Sequence, residues 1–320
     1  ISALDYPGKK AVVELLPRGV VGIIAPWNYP LGNFMKALVP ALLSGNAVVL
    51  KPSEQTPRTG AWLAKITGDV LPKNLVGLVQ GAGDVGQALL DAPIDAIVFT
   101  GSVTTGRRVA VRAAERLMPY SVELGGKDAA IVLADCDLDR TVAGIAQWGM
   151  HNSGQNCSGI ERVYVEASIA DQFVEKLGRF VASLRVSPQT AASDLGPLQN
   201  EPQLRIVERH VSDAKERGAR VVCGGEPTGK GFGYRPTVLD RCTHEMTVMR
   251  EETFGPVLAV MRVKDAEGRE TKETSSFLAV NRGKRSITID MSQPAGQALI
   301  RKLAEAGAAK SGTGTTVCRQ

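Results

Sequence analysis

The chain has 320 residues, 43% hydrophobic and 22% charged, enough for one large or two ordinary globular domains. Its formal charge of +5 lies entirely near the end, with 27 Lys/Arg against 27 Asp/Glu through residue 260 and 11 against 6 after it. A neutral body argues against a nucleic-acid face, and no apolar run approaches the roughly 18 residues of a membrane span.

The opening ISALDYPGKK lacks a signal peptide's apolar run. From residue 19 the text alternates β-branched runs with amphipathic segments. GVVGIIAP, NAVVLKP, LVGLVQ and DAIVFTGS read as strands; NFMKALVPALLSG, TGAWLAKITGDVL and GRRVAVRAAERL read as helices. Continuous apolar strands separated by helices predict a doubly wound α/β fold, a parallel sheet covered on both faces. A second α/β block opens at DAAIVLADCDLDR. It continues through strand RVYVEAS, helical patterns at 168–185 and 201–217, and strands ARVVCGG, YRPTVLD and PVLAVMRV. Residues 266–320 change character: polar, basic and Gly/Ser/Thr-rich, with one helical pattern at AGQALIRKLAEAGA, they read as a weakly structured tail.

Five cysteines (Cys136, Cys157, Cys223, Cys242, Cys318) are odd in number, far apart and without a CxxC pair, and the three histidines show no HExxH spacing. Neither a disulfide framework nor a metal site is expected, and reduced thiols in the cytoplasm fit best.

Several short motifs sit where strands end, the place at which open α/β sheets bind ligands. PWNYP stiffens a loop around Asn28, whose amide is either a fixed donor or a turn former. KPSE offers Lys51 as a donor and Glu54 as an acceptor for ribose hydroxyls, or else a surface ion pair. GAGDVG at 81–86 matches a dinucleotide loop and equally an ordinary strand-to-helix turn. FTGSVTTG is the better phosphate candidate, because Gly101, Ser102 and Gly106 lead directly from a strong strand into a helix. VELGGK ends a strand with Glu123, a possible general base, before two glycines that leave room for a ligand.

Cys157 lies in NSGQNCSG, among residues that make poor core material, so a nucleophile is favoured over filler. His151 is six residues upstream, a poor helical spacing for a thiol–imidazole pair. EETFGPV supplies Glu252 for a second ribose and Phe254 for a flat ring, although alone it reads as a loop.

These motifs, in this order over roughly residues 10–265, resemble the NAD(P)-dependent aldehyde dehydrogenase superfamily, as does the 34-residue interval from Glu123 to Cys157. The resemblance implies Cys157 as nucleophile, Asn28 as oxyanion donor and Glu123 as general base. It implies Lys51 and Glu54 on the adenosine ribose with Trp27 beside it, Gly101, Ser102 and Gly106 at the pyrophosphate, and Glu252 and Phe254 at the nicotinamide ribose and ring. Tyr29, Asn156 and Ser158 would flank a small-molecule aldehyde. NAD is the implied cofactor, with NADP possible; Glu54 would repel a 2′-phosphate.

On this reading residues 1–17 are a remnant of an oligomerisation hairpin. Residues 18–128 form a partial Rossmann-like NAD-binding domain, residues 129–265 a partial catalytic domain, and residues 266–320 an atypical tail. Complete members would be homo-oligomers. The chain would start well inside such a member, and a shifted reading frame or truncated gene would explain the tail. Two other readings stay open: a thiol acyl-transfer enzyme without hydride transfer, and an impaired fragment that at most binds nucleotide.

Overall fold

The computed structural model describes residues 16–186 and 193–263. The expected hairpin, except for its last two residues, and the tail from residue 266 lie outside the described residues. Within them, apolar strands and amphipathic helices alternate as the periodicity predicts. The first half runs β1 (Val20–Ile24), α1 (Pro30–Leu43), β2 (Ala47–Lys51), α2 (Pro57–Val70), β3 (Val76–Leu78), α3 (Gly83–Asp91), β4 (Ala96–Gly101), α4 (Val103–Glu115) and β5 (Tyr120–Leu124). The second runs β6 (Asp128–Val132), α5 (Leu138–Met150), β7 (Ile160–Glu166), α6 (Ala170–Ala182), α7 (Glu201–Glu216), β8 (Arg220–Cys223), β9 (Thr237–Asp240), α8 (Thr247–Arg250) and β10 (Val257–Val263).

Two five-stranded sheets result among the described residues, in the orders β3-β2-β1-β4-β5 and β6-β7-β10-β9-β8. The first is parallel throughout. Alternate residues of β1 point to opposite faces. Val21 and Ile23 join Phe34 and Leu38 of α1 and Leu63 of α2, while Val20 and Ile24 pack toward Leu89, Leu90 and Val109 of α3 and α4. The second sheet is covered likewise, with α5 and α6 over Val163, Val165, Leu258 and Val260, and α7 over Leu239, Val257 and Ala259.

One feature was not foreseen. β8 pairs antiparallel with β9, with a register shift between Val221 and Cys223. GAGDVG forms the strand-to-helix turn that was one of its two readings: Gly83 opens α3 with Asp84 in its first turn.

In the first sheet the chain winds outward from β1 through β2 to β3, then crosses back so that β4 lies on β1's other side. The carboxyl ends of β1 and β4 therefore diverge into a crevice, the switch point where such sheets take ligands. The loops after these two strands carry Trp27 and Asn28 on one side and Ser102 on the other.

Candidate active site

Parallel register brings the motifs level: Ile24 lies beside Lys51 and Phe99, and Thr100 beside Glu123. Ser102 caps α4, its hydroxyl accepting the Thr105 N–H at 3.3 Å.

Cys157 comes from the other sheet, through an unusual piece of backbone. After α5 the residues Asn152, Ser153 and Gly154 adopt φ of 53°, 58° and 70° in succession. Side chains avoid this left-handed region at a cost of about 1–2 kcal/mol per residue, so the turn needs outside support. Asn152 Nδ2 donates to the Asn28 carbonyl at 3.1 Å, Ser153 Oγ to the Gly196 carbonyl at 2.7 Å, and the Gln199 N–H to Gln155 Oε1 at 2.8 Å. Gly154 is obligatory, because a Cβ there would lie 2.0 Å from the Gly255 carbonyl oxygen. The Asn28 amide donates to the Gln155 carbonyl at 3.1 Å, so the β1 loop and the cysteine loop hold each other in place.

A cavity of about 270 Å³ lies where these loops meet. Its lining includes Asn28, Glu123 and Cys157 together with Trp27, Gly101, Ser102, Glu252 and Phe254. Trp27 and Phe254 meet edge to face, 5.5 Å between centroids. On its other side Cys157, with Thr100 and Glu123, also borders a groove of about 740 Å³ between α1 and the β4–β5 edge. The sulfur is exposed, and Glu123, at the end of β5, is exposed as well.

Other expected residues fall elsewhere. Lys51 is buried with its ammonium 3.8 Å from Glu54, too long for a hydrogen bond, and burial lowers its pKa. Gly86 of α3 approaches the Lys51 stem, so GAGDVG borders this same strand end. Gly106 is a correction. Its N–H is taken by the Ser102 carbonyl at 2.8 Å and it is buried against Leu124 and Phe99, so it seats α4 on the sheet and does not face a ligand. Asn156 is another, being buried with its Oδ1 accepting from the Ser158 N–H and hydroxyl, both at 3.2 Å, to shape the turn. His151 turns from the sulfur to Tyr29, its Nδ1 hydrogen-bonded to the hydroxyl at 2.7 Å and its ring stacked at 5.9 Å.

Glu252 is the most perturbed acid at the cavity. Burial first, and then the neighbouring Glu161 charge, push its carboxyl up to about 7, against a hydrogen bond from the Gly126 N–H. Its oxygens lie over the bare Cα of Gly125, where a Cβ would come within 2.1 Å. Sequence reasoning missed Gln203 and Ile206 of α7 on the lining, and Lys127 and Glu161 behind it. Gln203 follows Asn200 in a helix-capping pattern, which disguised it. The available signal for Glu161 was a Glu-Arg pair just before the apolar centre of the strand IERVYVE.

The Aldehyde dehydrogenase family matches residues 1–271. The chain belongs to this family. Lactaldehyde dehydrogenase of Escherichia coli is 43% identical over 263 residues, which are 80% of this chain and 55% of that protein. A Mycobacterium ulcerans protein provisionally named as an NADP+ succinate-semialdehyde dehydrogenase is 43% identical over 277 residues, 85% of this chain and 53% of its own length. The crystal structure of a Mycobacterium tuberculosis aldehyde dehydrogenase complexed with NAD+ superimposes with a TM-score of 0.77 at 42% identity, covering 79% of this chain and 54% of that one. This aldehyde dehydrogenase family chain thus spans about half the length of the relatives it matches. CoA-transferase family III matches residues 258–308. That match overlaps the end of the first and reaches into the basic tail.

Two of the other described cysteines contrast with Cys157. Cys242 is buried and its thiol is pushed up to about 12; burial raises Cys223 as well. Alkylation depends on exposed thiolate. Brief iodoacetamide treatment followed by peptide mass spectrometry should label Cys157 well ahead of Cys223 and Cys242; labelling of Cys242 first would contradict this geometry.

Proposed function

We propose that the protein oxidises an aldehyde to a carboxylic acid with NAD, through a covalent adduct on Cys157. The observation that carries the reading is the convergence of Cys157, Asn28 and Glu123 on one cavity whose remaining wall holds Trp27, Ser102, Glu252 and Phe254. In chemical terms Cys157, as thiolate, adds to the aldehyde carbon. One proton of the Asn28 amide is fixed on Gln155, which leaves the second, with the Cys157 backbone N–H, to hold the oxyanion. Such donors contribute about 2.7–4 kcal/mol each in comparable sites. NAD, when bound, supplies the hydride acceptor. Glu123 then takes a proton from the water that cleaves the thioester, releasing the acid and the sulfur.

The residues present fit NAD. Glu252 is a half-buried carboxylate at the wall, suited to accept from ribose hydroxyls, with Phe254 next to it for a flat ring. Ser102 and the start of α4 offer donors to phosphate, and Lys51 with Glu54 lies at the neighbouring strand end for the second ribose. Residues 18–128 would hold the cofactor and 129–265 the nucleophile. Relatives named for NAD+ and for NADP+ both occur, which supports NAD with NADP as the second choice. A cytoplasmic setting suits an exposed reactive thiol.

The test is a panel of short aldehydes with NAD or NADP, following NADH or NADPH absorbance. Turnover without nicotinamide would favour thiol acyl transfer instead. Binding without turnover would favour the impaired fragment, a reading supported by the largely exposed β5 edge that carries Glu123.

Glu252 sets a pH dependence. Its charged form accepts from ribose hydroxyls through both oxygens and more strongly than the neutral acid. Its pKa is raised to about 7, so NAD binding should strengthen as pH rises through that value and level off above it. Between about pH 6 and about pH 8 the charged fraction rises roughly tenfold. NAD titrations should follow that change in wild type and lose it in E252Q; equal steps in both would reject Glu252 as the ribose acceptor.

A further inference from the structure

Behind the Glu252–Phe254 wall lies a buried polar cluster that none of the chemistry above uses. Glu161, 4% exposed, enters at the start of β7, four residues after the cysteine. Its two carboxylate oxygens accept the backbone N–H groups of Thr253 and Phe254, each at 2.8 Å. The buried Lys127 ammonium pairs with it and donates to the Thr253 hydroxyl at 3.1 Å. His210 of α7 hydrogen-bonds to that same hydroxyl at 3.1 Å, and Gln203 donates to the carbonyls of Thr253 and Phe254 at 2.9 and 3.0 Å. Arg162 ties the Lys127 carbonyl from β7 at 2.9 Å.

A buried ion pair contributes little net stability, because desolvating both charges offsets their attraction. What this pair supplies is direction. It joins the segment after Glu123, the segment after Cys157 and the 252–254 loop, three pieces of chain distant in sequence. It also holds Phe254 at φ 52°, which a bulky side chain adopts only when its surroundings impose it.

We propose that Glu161 is a positioning residue for the cofactor: paired with Lys127, its carboxylate holds the 252–254 backbone in the conformation that turns Glu252 and Phe254 into the cavity. The inference rests on the reading that this cavity receives the nicotinamide end of NAD. Glutamine at 161 keeps the shape, but it presents an NH₂ to one of the two backbone N–H groups it must accept, so the loop has to shift.

The test is NAD titration of intrinsic tryptophan fluorescence across a pH series, with thermal unfolding measured in parallel, on the full chain and on E161Q. Trp27, on the cavity wall, reports occupancy. E161Q should unfold cooperatively yet bind NAD about tenfold more weakly, the loss expected for one charged hydrogen bond. Its pH midpoint should also fall. The charged groups facing Glu252 are Glu161, Lys127 and Asp128, and removing the Glu161 charge leaves Lys127 to favour the carboxylate. Loss of the charge alone would move that midpoint and leave the affinity above it unchanged, whereas a shifted loop weakens NAD at every pH. Should E161Q not fold, T253V, which removes the hydroxyl shared by Lys127 and His210, should weaken NAD several-fold. Wild-type affinity and midpoint in a folded E161Q, or wild-type affinity in T253V where E161Q does not fold, would overturn the proposal. A wild-type chain that binds no NAD fails before any variant is made; that result rejects the functional reading and takes this inference with it.

Discussion

Replacing Cys157 by alanine should abolish NADH formation with every aldehyde while leaving NAD binding and thermal unfolding nearly unchanged. The side chain is exposed and makes no core contact that alanine would lose, and surface substitutions of that kind stay within about 0.5 kcal/mol of wild type. The chemical loss is of another order, because no other group can form the covalent adduct; removal of a nucleophile in comparable enzymes lowers kcat by about 10⁶. Calorimetry for NAD, a melting curve and an absorbance assay on the same sample separate the two effects. NADH produced by C157A would reject covalent catalysis at this sulfur, whatever the motifs around it.

Changing Glu123 to glutamine should have the opposite time course. In the proposed mechanism the base acts after hydride has left, so E123Q should release up to one equivalent of NADH per chain in a fast burst and then slow by about 10²–10⁴-fold, the range for loss of a general base. Stopped-flow absorbance resolves the two phases, and mass spectrometry of the quenched protein should find the acyl group on Cys157. A burst absent in E123Q, or steady turnover equal to wild type, would remove Glu123 from that role. Glu123 sits at the end of an edge strand, with its backbone paired to β4 at Thr100, so the amide should leave the fold in place.

The fold was legible because its strands are apolar runs and its helices amphipathic, signals that are local. GAGDVG left two readings open, since two of its glycines lie within α3, where glycine weakens the helical pattern. The antiparallel β8 carries no mark of direction in its four residues, RVVC. At the site, residues that end strands were readable because a parallel sheet gathers strand ends wherever the helices lie. Gly106 misled because a glycine early in a helix serves close packing as readily as ligand approach, and only the position of Leu124 decides between them. The Lys127–Glu161 pair was illegible for a different reason. Each charge looks ordinary alone, and their meeting depends on how β5, β7 and the 252–254 loop are brought together.

Cys157 stands on the ridge between two hollows, one shared with Trp27 and Phe254 and the other running along α1. On the proposed function, two reactants would arrive from opposite sides without passing each other, and each product would have its own exit. A molecule lodged along α1 should then behave as a rival of the aldehyde and a bystander to the nucleotide, a pattern that a single shared doorway cannot produce.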